Sequence, residues 1–206
     1  MEPPTTDLLR DAVAGESNAV DALYRRCAPR LLTYIRLRMG RSLRARVESR
    51  DILQSTLLKS FQRFGDFRGG DGRSLMAWLA RIAEREVADR VDYEKRQRRD
   101  AARETPLDAT PDLSARVTSV LSRVIRDERA EQLEAAMDTL SDAYREIILL
   151  RKFEELSFPE IARRLGKSED ASRMLFARAL TALTLALTGT SRDARPAGGD
   201  SGASDP

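Results

Sequence analysis

The sequence predicts an all-α protein made of two small helical domains joined by a flexible linker, the second a helix-turn-helix domain. Three observations carry this. Apolar side chains recur at spacings of three and four through Leu53, Thr56, Leu57, Phe61 and Phe64, and again through Leu75, Leu79, Ile82, Ala83, Val87 and Val91. That period is the mark of helices with one buried face. A stretch holding Pro106, Pro111 and many Thr, Asp and Ser residues then interrupts the pattern over 100–126, as a linker between domains does. Beyond it, Ser157-Phe158-Pro159-Glu160, Gly166 and Ser168 punctuate a short helix, a tight turn and a longer helix.

Composition narrows the chemistry. The 206 residues suffice for one or two small cores. One third of them are charged, yet the net charge is only +3, so basic character is local. Arginine dominates that basic character, which suits phosphate and carboxylate forks and equally suits a biased genome. Histidine is absent and Cys27 is the one cysteine. Imidazole metal ligands, a thiolate cluster, a disulfide framework and the commonest general acid/base are thereby excluded. No metal or cofactor is expected, and no enzyme. No apolar run approaches the roughly 20 residues a bilayer demands. Met1 to Thr6 lacks the basic start and apolar centre of a signal peptide. The expected compartment is the reducing cytoplasm.

In chain order, Asp7 to Ala14 reads as a short helix with Leu8, Leu9 and Val13 apolar and Gly15 at its stop. Ser17 or Asn18 can cap a longer helix to about Met39, with Val20, Leu23, Tyr24, Leu31 and Ile35 inward and Pro29 expected to bend or break it. Its polar side carries Arg25, Arg26, Arg30, Arg36 and Arg38, and the basic trend runs on through Arg41, Arg44, Arg46 and Arg50. This is either a solvated face or a surface that meets nucleic acid or acidic protein. Ile52 to Phe64 is helical, with Ser49 as candidate cap and Asp51 at the positive end of the dipole. Gly65 to Arg73 is a loop whose four glycines open unusual backbone geometries. It lacks the Gly-Lys-Ser/Thr ending of a nucleotide loop. Ser74 to about Arg99 is helix, ending in Lys95-Arg96-Gln97-Arg98-Arg99, and its Trp78 is either core or a base-stacking platform. Within the linker, Leu113, Val117, Val120, Leu121 and Val124 can form a transient or docked helix.

The second domain, 127–187, opens with Ala130, Leu133, Ala136 and Met137 on one helix, after which Ser141 caps the next. Ser157 and Glu160 form a capping box with Pro159 in the first turn, and Gly166 stops that helix. In the longer helix that follows, Ser172, Phe176, Ala179, Leu180, Leu183 and Leu187 face inward, while Asp170, Arg173, Met174, Ala177 and Arg178 face out. A recognition helix reads a major groove from that position. Residues 188–206, rich in Gly, Ser, Ala, Asp and Pro, are expected to be disordered.

These parts, in this order, resemble the extracytoplasmic-function sigma factors, the small two-domain class of bacterial transcription initiation factors. Asp51-Ile52-Leu53-Gln54 resembles that family's Asp-x-x-Gln motif. Phe64-Gly65-Asp66-Phe67-Arg68-Gly69 with Leu75-Met76-Ala77-Trp78-Leu79-Ala80-Arg81-Ile82-Ala83 is similar to its promoter-melting signature. Leu140 to Arg151 and Leu156 to Ala162 are similar to its C-terminal domain. Ser55, Lys167 and Ser172 depart from the common pattern, and the Lys167 to Ala171 turn looks closer to a branch abundant in Planctomycetes.

The resemblance implies a domain 1–99 that binds core RNA polymerase and melts the minus-ten element, a linker 100–126, and a domain 127–187 that reads the minus-thirty-five element. Asp51, Gln54 and Leu58 would meet the beta-prime clamp helices, and the second domain the beta flap. Asp66, Arg68, Arg73, Arg81, Arg85, Lys95 and Arg96 would hold the melted strand and its phosphates. Lys167, Ser168, Ala171, Arg173, Met174 and Arg178 would meet the upstream duplex. Promoter DNA is then a partner, and an anti-sigma factor an allowed one. The alternative is a stand-alone helix-turn-helix regulator, which leaves 51–99 unexplained; a helical adaptor would need no basic loop.

Overall fold

The computed structural model describes residues 4–97, 111–122 and 128–193. Among them the secondary structure is helical. The helices are α1 (Thr5–Val13), α2 (Ser17–Arg44), α3 (Ser49–Gln62), α4 (Gly72–Gln97), α5 (Pro111–Leu121), α6 (Glu128–Asp138), α7 (Asp142–Lys152), α8 (Phe158–Leu165) and α9 (Glu169–Asp193), with a 3-10 turn at Phe64–Asp66. The expected basic end Arg98-Arg99, the first part of the linker, Val124 and the tail beyond 193 lie outside the described residues.

Helix α2 is the spine. It packs against α1, α3 and α4 on one side and against α5, α6 and α7 elsewhere. Leu23, Tyr24, Ala28, Leu31, Tyr34 and Ile35 are fully buried along it. Pro29, expected to bend or break the helix, leaves it unbroken. The helix accepts the lost amide donor, and the Thr33 hydroxyl donates to the Pro29 carbonyl at 3.2 Å. The real interruption is Gly40, whose φ of +64° re-aims the last turn and would strain any residue with a Cβ. In α1 the inward positions are Leu8, Leu9 and Ala12, while Val13, expected inside, is 64% exposed.

Helix α3 starts at its expected cap residue, Ser49. Glu48 occupies the cap position without a side-chain bond, and Ser49 is a buried first-turn residue that accepts from Arg36 at 3.3 Å. Lys59 pairs with Glu86 and ties α3 to α4. Part of the anticipated linker is a docked helix. Val117 and Val120 of α5 are buried against α2 and α3, Arg116 grips Asp21 at 2.8 Å, and its guanidinium lies 4.9 Å over the Phe61 ring.

In the C-terminal half, Ser141 caps α7 by accepting from the Tyr144 amide at 3.4 Å. Ser157 and Glu160 form the capping box of α8, with the Ser157 amide donating to Glu160 at 2.7 Å. Gly166 adopts φ +62° and lets the Lys167 amide reach the Ala162 carbonyl at 3.0 Å. Ser168 then caps α9 through the Ala171 amide at 3.1 Å. Helix α9 runs six residues past the expected boundary at 187. Thr184 and Thr188 return hydroxyl bonds to carbonyls one turn back, and Gly189 is carried inside the helix.

The basic face of α2 finds a protein partner in the same chain. Arg36 pairs with Glu134 at 2.6 Å, Arg38 with Glu146 and Glu84, and Arg44 with Asp138. Of these carboxylates only Glu84 belongs to the N-terminal half; the others sit on α6 and α7.

Candidate functional site

Three surfaces carry the candidate residues. The first is the start of α3. Asp51 is exposed and Gln54 half-buried, and they lie on one side of the helix three residues apart. Leu58, expected on the same polymerase-binding surface, is instead 6% exposed and belongs to the core. It follows Gln54 by four residues, and its burial keeps the side chain from a partner in this arrangement.

The second surface is the loop and outer side of α4. Phe64, Phe67 and Trp78 form an aromatic cluster, with Phe67 and Trp78 ring centres 5.5 Å apart. Phe67 is buried and anchors the loop, so that the neighbouring Asp66 and Arg68 stay exposed. None of the four loop glycines uses a positive φ. Space is the demand at Gly69, where a Cβ would fall 2.4 Å from both the Phe67 ring and the Ser74 Cβ. Gly69→Ala therefore has to push the loop off the aromatic cluster. We expect a loss of about 1–3 kcal/mol in unfolding free energy, the usual scale for overpacking, read by urea denaturation. Gly70→Ala, with open space around it, is the control and should change stability by less than about 0.5 kcal/mol.

Asp71 closes the loop by accepting from the Ser74 amide at 2.7 Å. Those bonds to Ser74 hold its carboxyl below the ordinary aspartate range, so the cap is intact at neutral pH and is lost only on strong acidification. Arg68 folds back to donate to the Gly65 and Phe67 carbonyls. Arg73, Arg81, Arg85 and Arg96 are exposed, and Lys95 lies on α4 with its side chain outside the described residues. Trp78 is half-buried: it packs on the aromatic cluster and also lines a cleft with Asp66, Arg68, Arg73 and Arg81.

The opposite wall of that cleft was not foreseeable. It is formed by Glu154, Glu155, Leu156 and Glu160, from the segment that enters the helix-turn-helix. Burial raises the Glu154 carboxyl above its ordinary value, with Glu84 adding to the rise and the Tyr34 hydroxyl, Arg164 and Arg38 opposing it. The sequence shows an acidic pair before the capping box, but nothing in it sets that pair across from Arg68 and Arg81.

The third surface is the helix-turn-helix of α8 and α9. Lys167, Ser168, Ala171, Arg173, Met174 and Arg178 are all exposed, and Ser172 and Ala179 are fully buried beneath them. The Ser172 hydroxyl donates to the Ser168 carbonyl at 3.0 Å, which satisfies it inside the core stripe. Arg173 pairs with Glu169 and lies 4.7 Å over the Phe158 ring, on which Arg151 also stacks at 4.9 Å. Met174 is 56% exposed, an apolar tip between cationic neighbours.

Among the described residues no cluster of metal-ligating side chains occurs, and no helix is long and apolar enough to cross a membrane.

Comparison with known proteins places this geometry. Residues 23–98 match the sigma-70 region 2 family and residues 130–183 the sigma-70 region 4 family. The ECF RNA polymerase sigma factor BldN of Streptomyces coelicolor is 31% identical over 90% of this chain and 67% of its own length. SigD of Mycobacterium tuberculosis is 28% identical over 85% of this chain and 80% of its own. CarQ of Myxococcus xanthus is 29% identical over 78% and 84%. The loop and α4 surface falls within the first matched region and the helix-turn-helix within the second, in the order the resemblance required. The chain belongs to the family of ECF RNA polymerase sigma factors.

Proposed function

We propose that this sigma factor docks on core RNA polymerase through the start of α3, opens the minus-ten element on the loop and outer side of α4, and reads the minus-thirty-five element with α9. The observation that carries it is the pairing of the two sigma-70 regions on one chain, each with its polar candidate residues outward over a buried apolar face. Asp51 and Gln54 meet the beta-prime clamp helices, and the C-terminal domain meets the beta flap. Asp66, Arg68 and Arg73 hold a base flipped from the non-template strand. Unstacking it costs a few kcal/mol, offset by contacts at Trp78 and by charge. Arg81, Arg85, Lys95 and Arg96 hold phosphates. Lys167, Ser168, Ala171, Arg173, Met174 and Arg178 meet the upstream duplex.

The outward face of α9 carries only a few cations beside Glu169 and Asp170. Alone it binds DNA weakly; affinity comes from two domains held together on polymerase. We take the functional boundaries as 1–99, 100–126 and 127–187, the factor as cytoplasmic and non-catalytic, and an anti-sigma factor as a partner that the family allows. The Lys167 to Ala171 turn and the Phe176 to Leu180 stretch support a place in the branch abundant in Planctomycetes.

The test is run-off transcription with purified core polymerase and fragmented DNA from the source genome. Discrete transcripts that depend on this chain are expected. Absence of transcripts together with no core binding in a pull-down would overturn the reading in favour of a stand-alone regulator, which should bind duplex DNA unaided.

A further inference from the structure

The loop before α4 is braced from outside as well as from within. Phe67, Trp78 and Gly69 form its inner support. Its outer support comes from α1. Thr5, the first residue of α1, lies against Gly72, the first residue of α4. A Cβ on Gly72 would fall 2.8 Å from the Thr5 Cγ2 methyl and 3.5 Å from the Thr5 Cβ. The backbone at Gly72 does not demand glycine, since its φ lies outside the left-handed region. Alanine is the better helix former at such a position. What demands glycine is the side chain that stands over it.

Thr5 is firmly held. Leu8, Leu9 and Ala12 bury α1 against α2. The Arg26 guanidinium of α2 donates to the Thr5 hydroxyl at 2.9 Å, a bond that its charge strengthens. β-Branching restricts the Thr5 rotamer, so its methyl is a stiff stop. The stop sits where the loop becomes helix. Asp71 accepts from the Ser74 amide through its carboxylate at 2.7 Å and from the Leu75 amide through its carbonyl at 3.1 Å. Gly72 lies inside that turn, between Asp71 and Arg73, and both of these line the cleft with Trp78. A displacement at Gly72 therefore displaces Arg73, one of the residues assigned above to the flipped base. The sigma-70 region 2 match begins at residue 23, after α1 has ended at Val13, so it gives α1 no part in opening DNA.

We propose that Thr5, held by Arg26, is a positioning residue for promoter opening: its methyl fixes where Gly72 lies, and with it the placement of Asp71 and Arg73 around the captured base. The proposal rests on the sigma reading for its functional consequence. The brace itself is a property of the free chain and is read there separately.

The experiment exchanges bulk across this contact. Gly72→Ala drives a Cβ into the Thr5 methyl. Thr5→Ser in the same chain removes that methyl and keeps the hydroxyl for Arg26. Thr6→Ala, on the exposed neighbour, is the control. The rate of promoter opening by reconstituted holoenzyme, read by a fluorescent base in the minus-ten element, is compared with core affinity of the same chains. Gly72→Ala should slow opening about ten- to a hundredfold, up to the scale of a misplacement of about 1 Å at a working group, with core affinity unchanged. Thr5→Ser alone should slow opening more than Thr6→Ala does. The double variant should recover most of the rate, because the alanine methyl then fills the place of the lost one, as coupling across one contact requires. Trp78 is the one tryptophan of the chain, so its quenching by acrylamide reports the loop without polymerase. Quenching should rise in Gly72→Ala and return toward the wild type in the double variant. Opening at the wild-type rate by Gly72→Ala, or no recovery in the double variant, would overturn the proposal. So would a loss of core affinity in step with opening, which would make the contact a matter of folding alone. If the wild type itself fails to bind core polymerase, the sigma reading falls, and the Trp78 pattern still decides whether Thr5 holds the loop.

Discussion

Asp51→Ala combined with Gln54→Ala is expected to weaken binding to core RNA polymerase by at least about thirtyfold, or about 2 kcal/mol, while the chain stays folded. The expectation follows from position. Asp51 is exposed in the first turn of α3, and Gln54 is half-buried beside it. Neither has its side chain in the core, and both end on the same side of the helix. Removing the carboxylate forfeits a favourable interaction with the helix dipole of about 0.3–1 kcal/mol. A chain of this size then loses no more than about 4 °C of melting temperature. Binding and stability thus separate cleanly, and co-purification with core polymerase plus a thermal melt checks both. Retained co-purification would remove α3 as the docking helix. Leu58→Ala is no substitute for this test: its side chain is buried, and truncating it costs about 2–5 kcal/mol of stability whatever its role in binding.

The helices were legible because their signals are local. Period, capping box and Gly166 stop are set by residues a few positions apart, and Ser141, Ser157, Gly166 and Ser168 each take the structural part their chemistry suggests. The errors arise where a distant partner decides. Ser49 is a good cap by type, but Arg36 claims its hydroxyl and the helix begins around it. Pro29 should break an isolated helix, yet packing on both flanks holds α2 together, and the break falls at Gly40. The arginines of α2 were readable as a basic face. That their partners are Glu134, Asp138 and Glu146, about a hundred residues on, was not. Val117 and Val120 left a transient or a docked helix open in the linker, and they dock, while Leu58, expected beside Asp51 and Gln54, is buried in the core, which spacing along one helix does not show. The cleft had its basic wall visible in the Arg68 and Arg81 motifs. Its acidic wall is a tertiary fact.

Arg173→Ala is expected to lower transcription by about five- to 150-fold from promoters that depend on the upstream element, and to leave promoters lacking that element unchanged. The range is that of one bidentate arginine–guanine pair, about 1–3 kcal/mol. Arg173 is 55% exposed on the outward side of α9, over a buried stripe of Ser172 and Ala179 that fixes the helix it stands on. Structural loss is small by comparison. Its ion pair with Glu169 is exposed and contributes about 0.3–0.5 kcal/mol, and its stacking on Phe158 about 0.5–1 kcal/mol. The Glu169 pair also defines a control. Arg173 must leave that carboxylate to reach a base, so Glu169→Gln should leave upstream-dependent transcription intact or raise it, whereas a purely structural Glu169–Arg173 pair would make both substitutions equally harmful. Run-off assays on paired templates, one with the upstream element and one without, read the ratio directly. An equal loss on both templates for Arg173→Ala would assign the residue to folding or to polymerase contact, and would move base reading on this helix to Arg178 and Met174, two further exposed side chains on the same face.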